Sequence, residues 1–485
     1  MRTDLLKHLG RGLLAVAAAS CLTLAHGRSP GPAVIQIVNG NEPGIGFNDP
    51  SPALPVGGNT AATVGGQRLA VFQYAANLWG TKLKSDVPIT ILSTFEPLPC
   101  TATGATLGAA GAISVWSDFP GAEKPGTWYS SALANKLAGE DIDPVPSPTG
   151  DDLDIVAFFN SDLGQPDCLA GSGFYLGLDG LAPAGQIDLL TTILHEFGHG
   201  LGFQTFTSGR TGNQLAGQPS IWDHYLYDPA QNKTWVKMTA AERATSGITP
   251  RNLQWYGNTV IGKAAAVLDR GTPELFLTGP GLDRNVLIGT ALFGPQIDSR
   301  DDQLSAQIGQ VVDQVNGTGL ACTPLSAANA AAVRGKIALV DRGTCGFTVK
   351  VKNAQDAGAR AVIVSDNVPG GPPPDLGGVD PTITIPAVRV SLEDGTALKA
   401  SLATPSKFGN YGVLSFNTQK LAGADYGKRV FMFTPNPFQQ GSSVSHFDTS
   451  AKPNLLMEPF LNAGQPIAVS APKDLTFELL KDIGW

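Results

Sequence analysis

His195-Glu196-Phe197-Gly198-His199 is the stretch on which the reading of this chain turns. In a helix, a four-residue step returns almost one full turn, so both imidazoles project from one face. Two neutral ring nitrogens can then share one Zn²⁺ ion, and the carboxylate of Glu196 stands beside a water activated by that ion, placed as general base. Upstream, Ile187-Asp188-Leu189-Leu190-Thr191-Thr192-Ile193-Leu194 is apolar enough for a buried helix. Gly202 follows three residues after the second His and is expected to end the helix in a left-handed turn.

Working outward, 485 residues are too many for one ordinary core, and two to three domains are expected. Fifty-eight Gly, 36 Pro and only 15% charged residues indicate a loop-rich body containing β-structure. The net charge of −8, with no run of Lys or Arg, argues against a nucleic-acid partner and against docking on anionic lipid. Residues 1–27 read as a signal peptide: Arg2, Lys7 and Arg11 flank an apolar stretch from Leu13 to Leu24, and Ala25-His26-Gly27 offers a cleavage site. The protein is therefore expected to be secreted or periplasmic. No later segment holds 18 unbroken apolar residues, so integral membrane association is not expected. A lipid anchor on Cys21 is disfavoured because Ala18-Ala19-Ser20 lacks the usual large apolar residue.

Removal of the signal leaves Cys100, Cys168, Cys322 and Cys345, an even number in an oxidising compartment. Three pairings exist, and sequence neighbourhood favours Cys100 with Cys168 and Cys322 with Cys345. Cys100 as a thiolate capping the zinc of a latent form is the competing role.

Strands are expected at residues 33–38, 88–92 and 154–159, and a helix over Arg68 to Leu83 with Leu69, Phe72, Ala76 and Trp79 on one face. A second unit begins near Gly271. There, strands at 335–341, 361–364 and 386–390 alternate with helices over Val349 to Gly358 and Leu392 to Leu402, and the unit contains no His. After residue 411 a strand is expected at Arg429-Val430-Phe431-Met432-Phe433, and a helix at Leu475 to Ile483.

A catalytic zinc ion usually takes three protein ligands. Many zinc peptidases place the third His six residues beyond the second, but here that position is Thr205. Beyond the helix pair, and with His8 and His26 in the signal, only His224 and His446 remain. Asp223, Asp228 and Glu242 are formally available as well.

Ser445-His446-Phe447, followed by Leu455-Leu456-Met457-Glu458-Pro459, resembles the ligand loop and Met-bearing turn of the metzincin zinc peptidases. With His195, Glu196, His199 and Gly202, the pattern is closest to the leishmanolysin-like metalloproteases, where an inserted segment separates the third His from the helix. The resemblance implies His446 as third ligand and Met457 as an apolar floor beneath the metal. Asp341-Arg342-Gly343-Thr344-Cys345-Gly346-Phe347, then Lys350 or Lys352 and Ala357-Gly358-Ala359, resembles a protease-associated (PA) domain.

The expected architecture is α+β. A zincin/metzincin-like catalytic domain, with a mixed sheet and an active-site helix, spans 28–270 and 411–485, interrupted by a β-rich PA domain at 271–410. The resemblance implies a secreted endopeptidase with one catalytic zinc and protein or peptide substrates. A catalytically inactive binding protein on the same scaffold is the alternative, and a hydrolase of non-peptide amides or esters a third. One departure stands out: several metzincins carry a Tyr just after the Met turn to support the oxyanion, whereas Glu458-Pro459 stands here.

Overall fold

The computed structural model describes residues 30–142, 152–462 and 464–485. The signal segment with His8, Cys21 and His26 lies outside the described residues.

The first part of the chain builds a four-stranded sheet from β1 (Ile35–Asn39), β2 (Ile89–Glu96), β3 (Gly108–Ala112) and β4 (Ile155–Asn160). Their order is β1-β2-β4-β3; the first three run parallel and β3 closes one edge antiparallel to β4. Helix α1 (Val64–Lys82) starts four residues before the expected Arg68, because the Thr63 side chain accepts the Gly66 amide and caps it. Phe72, Ala76 and Trp79 form its buried face as expected, but Leu69 is exposed, and Val71 and Ala75 take its place. After the short helix α2 (Ser131–Ala138), α3 (Leu189–Gly200) carries the motif. Helix α3 opens at Leu189, not Ile187: Asp188 accepts the Thr191 amide at its N-cap, a bond worth about 1 kcal/mol. Ile187-Asp188 is instead a two-residue strand beside Phe174–Tyr175. The buried Trp79 indole donates to Leu194 O at 3.2 Å and ties α1 to α3. Phe47, Phe72, Phe95, Phe159 and Phe197 pack edge to face or tilted around this junction.

Residues after the insert return to the same core. Val430, Met432, Phe447, Leu456, Met457 and Leu479 belong to one apolar cluster with Phe72, Ile193 and Phe197. The helix expected at the C-terminal end is present as Thr476–Asp482. Arg429 to Phe433 is not the expected strand: Val430, Phe431 and Met432 form single bridges to Ala424, Gln254 and Phe447, because each meets a different partner.

The inserted unit has its own apolar clusters, built on residues such as Leu277, Ile308, Leu339 and Ile363 on one side and Val340, Val351, Ala354 and Val364 on the other. They flank an eight-stranded sheet. Its order is Leu282–Val286, Arg270–Gly279, Tyr411–Leu421, Leu304–Gln310, Ile337–Asp341, Ala361–Ser365, Ala387–Val390 and Gly289–Thr290. The helices Ala327–Val333, Phe347–Asp356 and Leu392–Ala403 alternate with its strands, the last two where helices were expected. Tyr411–Leu421 pairs antiparallel with Arg270–Gly279, so the insert ends about one strand later than residue 410. Arg270 and Leu421 are register partners. Neighbouring entry and exit points let a whole unit hang from one place on the host fold.

Cys100 is bonded to Cys168, and Cys322 to Cys345, with Cα–Cα distances of 5.1 and 5.7 Å. Cys100 is therefore committed to a disulfide. Among the described residues, no helix is long and apolar enough to cross a membrane.

Candidate metal centre and cleft

Helix α3 presents His195 and His199 one turn apart, and the 442–448 loop brings His446 to them. The three Nε2 atoms form a triangle with every side 3.2 Å. A tetrahedral zinc site with Zn–N of about 2.0–2.1 Å places ligand nitrogens about 3.3 Å apart. Each Nδ1 donates to a backbone carbonyl at 2.8 Å: His195 to Leu456, His199 to Phe203 and His446 to Ser442. These bonds place the ring protons on Nδ1 and leave three Nε2 lone pairs converging on one point. Converging lone pairs repel unless a cation lies between them, so the donor set fits a metal ion. Burial, assisted for His199 and His446 by the neighbouring rings, keeps all three imidazoles neutral; it lowers His195 to about 4, His199 to about 3 and His446 well below the usual range. Among the described residues, this is the one group of three His, Cys, Asp or Glu with ligand atoms within 4.8 Å of one another.

Glu196 faces the edge strand β3. Burial pushes its carboxyl up to about 8, opposed by a hydrogen bond from the Ala110 backbone. Gly108 makes room for it: a Cβ there would lie 2.9 Å from Glu196 Cγ. Met457 comes up beneath the helix at Gly198, where a Cβ would be 2.8 Å from the thioether sulfur. Its turn is closed by Glu458, whose carboxyl accepts the Leu455 amide at 2.9 Å and the Asn462 amide at 2.9 Å. Burial raises Glu458 to about 8. Gly202 adopts φ +117°, the positive value expected where the chain turns off the helix.

Thr205, at the position where many zinc peptidases carry their third ligand, is tied to the loop that carries His446. Its amide donates to Ser445 Oγ at 3.2 Å, next to His446, and its hydroxyl donates to Asp223 at 2.7 Å. Asp223 is fully buried and also accepts from Thr207 and from the Ser220 amide. The other formal ligands are occupied elsewhere. His224 pairs with Thr127, Asp228 accepts the Ala230 and Gln231 amides, and Glu242 pairs with Lys233. Gly108, Ala110 and Ser442 were not singled out from sequence; only the run of small residues at 108–112 hints at close backbone approach.

A cleft of about 1140 Å³ runs past the three histidines. One wall is β3 with Leu107; the other comes from residues 438–446 and from the segment after Met457. Among the described residues, Glu458 is the one titratable residue lining it apart from the histidines and Glu196.

Residues 307–398 match the family model described as the PA domain. "Probable leucine aminopeptidase 2" of Arthroderma benhamiae is 44% identical over 71 residues, which is 15% of this chain and 14% of that protein. The C5a peptidase of Streptococcus pyogenes is 46% identical over 67 residues, 14% of this chain and 6% of that protein. The chain thus spans less than a sixth of the length of these curated relatives. Among solved structures, the zinc aminopeptidase BSAP of Bacillus subtilis is similar at 26% identity over 33% of this chain and 35% of that one, with a TM-score of 0.21.

Proposed function

We propose that this protein is an exported zinc-dependent endopeptidase of the leishmanolysin-like metzincin type, with one metal ion held by His195, His199 and His446. The observation that carries the reading is the triangle of Nε2 atoms with Glu196 beside it. Met457 beneath Gly198 supports the metzincin comparison; the matched family model covers the insert and not these residues. Two disulfides support an oxidising compartment.

Zinc in this site would supply Lewis acidity and lower the pKa of a water. Beside that ion's positive charge Glu196 would be ionised despite its burial, and so stand to take the proton of the attacking water and return it to the leaving amine. Among the described residues, strand β3 is an edge strand paired with β4 on one side, and Leu107 to Ala110 line the cleft. An extended peptide can add to that edge as a further strand. The buried carboxyl of Glu458 is raised to about 8 and so is held neutral at pH 7. Among the described residues the cleft is lined by no Lys, Arg or Asp, and the cleavage proposed is of bonds within a chain.

The test is cleavage of unfolded casein by zinc-loaded protein, with and without a chelator. Wild type is expected to cleave at internal bonds and to stop on chelation. Glu196→Ala is expected to keep its zinc and lose cleavage. Activity retained in that variant removes Glu196 from the chemistry, and inert metal-loaded wild type would favour a non-catalytic binding protein.

A further inference from the structure

We propose that the PA insert fixes the third metal-ligand loop through a backbone clasp, acting as a positioning element for His446 rather than as a free lid. The inference rests on His446 being a ligand, as read above.

Gly371 N donates to Asn436 O at 2.8 Å and Asn436 N donates to Gly371 O at 2.7 Å, a closed reciprocal pair across the two units. Asn436 opens the run in which Phe438, Gln440, Ser442, Ser443 and Ser445 line the cleft before His446. That run is itself tied: Ser443 Oγ accepts the Gln439 amide, Gln439 O accepts the Ser443 amide, and Ser442 O holds the His446 ring. A second tie reaches the far side of the ligand. Arg251 donates to Ile288 O in the insert at 3.4 Å and lies 3.5 Å from the buried carboxylate of Asp448, two residues past His446. Both flanks of the ligand are thus referenced to the insert, one directly and one through Arg251.

The clasp depends on the residue before it. Gly370 has φ +101°, and a Cβ there would fall 1.8 Å from Asn436 O. Its neighbour Gly371 is different: a Cβ would find Pro250 Cγ at 3.6 Å, an ordinary contact. Two adjacent glycines therefore separate loss of the clasp from mere addition of a methyl group.

The experiment uses full-length Gly370→Ala, Gly371→Ala and His446→Ala proteins. Zinc affinity is measured by competition with a chelator, and the thermal midpoint is measured without metal. Removing a group that orients a ligand typically costs 10–100-fold in metal affinity. Gly370→Ala is expected to lose about tenfold or more and to show a lower kcat on casein, with Gly371→Ala binding zinc as wild type does. Wild-type affinity in Gly370→Ala, with His446→Ala defective, overturns the clasp alone. Wild-type affinity in His446→Ala overturns the ligand reading, and the clasp with it. Should Gly370→Ala not fold, Arg251→Ala cuts the other tie; the same loss is expected, and unchanged affinity overturns the proposal.

Discussion

The carboxyl of Glu458 lies one residue past the Met457 thioether that packs against Gly198, and burial raises it to about 8. An unfolded Glu titrates near about 4.3. Between those two values the native state binds one proton more than the unfolded chain, so stability falls as pH rises through that window and levels off above about 8. Glu458→Gln removes the titration while keeping an acceptor for the Leu455 amide. In thermal melts of metal-free protein, the variant is expected to gain on wild type from pH 5 to pH 8. Parallel curves would mean that the Glu458 carboxyl is not raised by the fold. The residues of the site were unequally legible. His195, Glu196 and His199 announce themselves because a helix period converts their spacing into geometry. His446 lies 247 residues beyond His199, and no local pattern could bring it back; only the resemblance of its loop and Met turn pointed there. Thr205 and Asp223 act through a loop-to-loop contact, which leaves no trace in spacing.

Among the elements, β3 is the strand against which Glu196 packs. Its sequence Gly108-Ala109-Ala110-Gly111-Ala112 lacks the branched and aromatic residues by which a strand is recognised, so it was not read as one. Small side chains are what let it lie against α3. Gly108→Ala would push a methyl group to 2.9 Å from Glu196 Cγ, whereas Gly111→Ala meets nothing nearer than Gln204 Oε1 at 3.6 Å. A displacement of about 1 Å at a catalytic group can cost about a hundredfold in rate. Steady-state kinetics with zinc analysis should show Gly108→Ala strongly reduced in kcat with metal retained, and Gly111→Ala near wild type. Equal activity in the two would detach Glu196 from the strand. Helix α1, β2 and β4 were legible because apolar periodicity and burial coincide in them. Residues 429–433 have the strand composition, but each bridges a different neighbour, and pairing is decided by partners the local sequence does not contain.

At the scale of the molecule, one host core is assembled from two stretches of chain, and a second body hangs between them on the pair Arg270–Gly279 and Tyr411–Leu421. The insert was legible from its Asp341 to Ala359 pattern, and the family match at 307–398 agrees. Its exit strand was not, since an alternating segment does not name the sheet it joins. The arrangement makes the proposed metal centre a long-range product of folding: two of its histidines come from before the insert and one from after it. Diffraction at the zinc absorption edge from zinc-loaded crystals tests this directly. One anomalous peak is expected, about 2.0–2.1 Å from Nε2 of His195, His199 and His446 alike. A zinc ion bound elsewhere, or one that leaves His446 outside its coordination sphere, would contradict it.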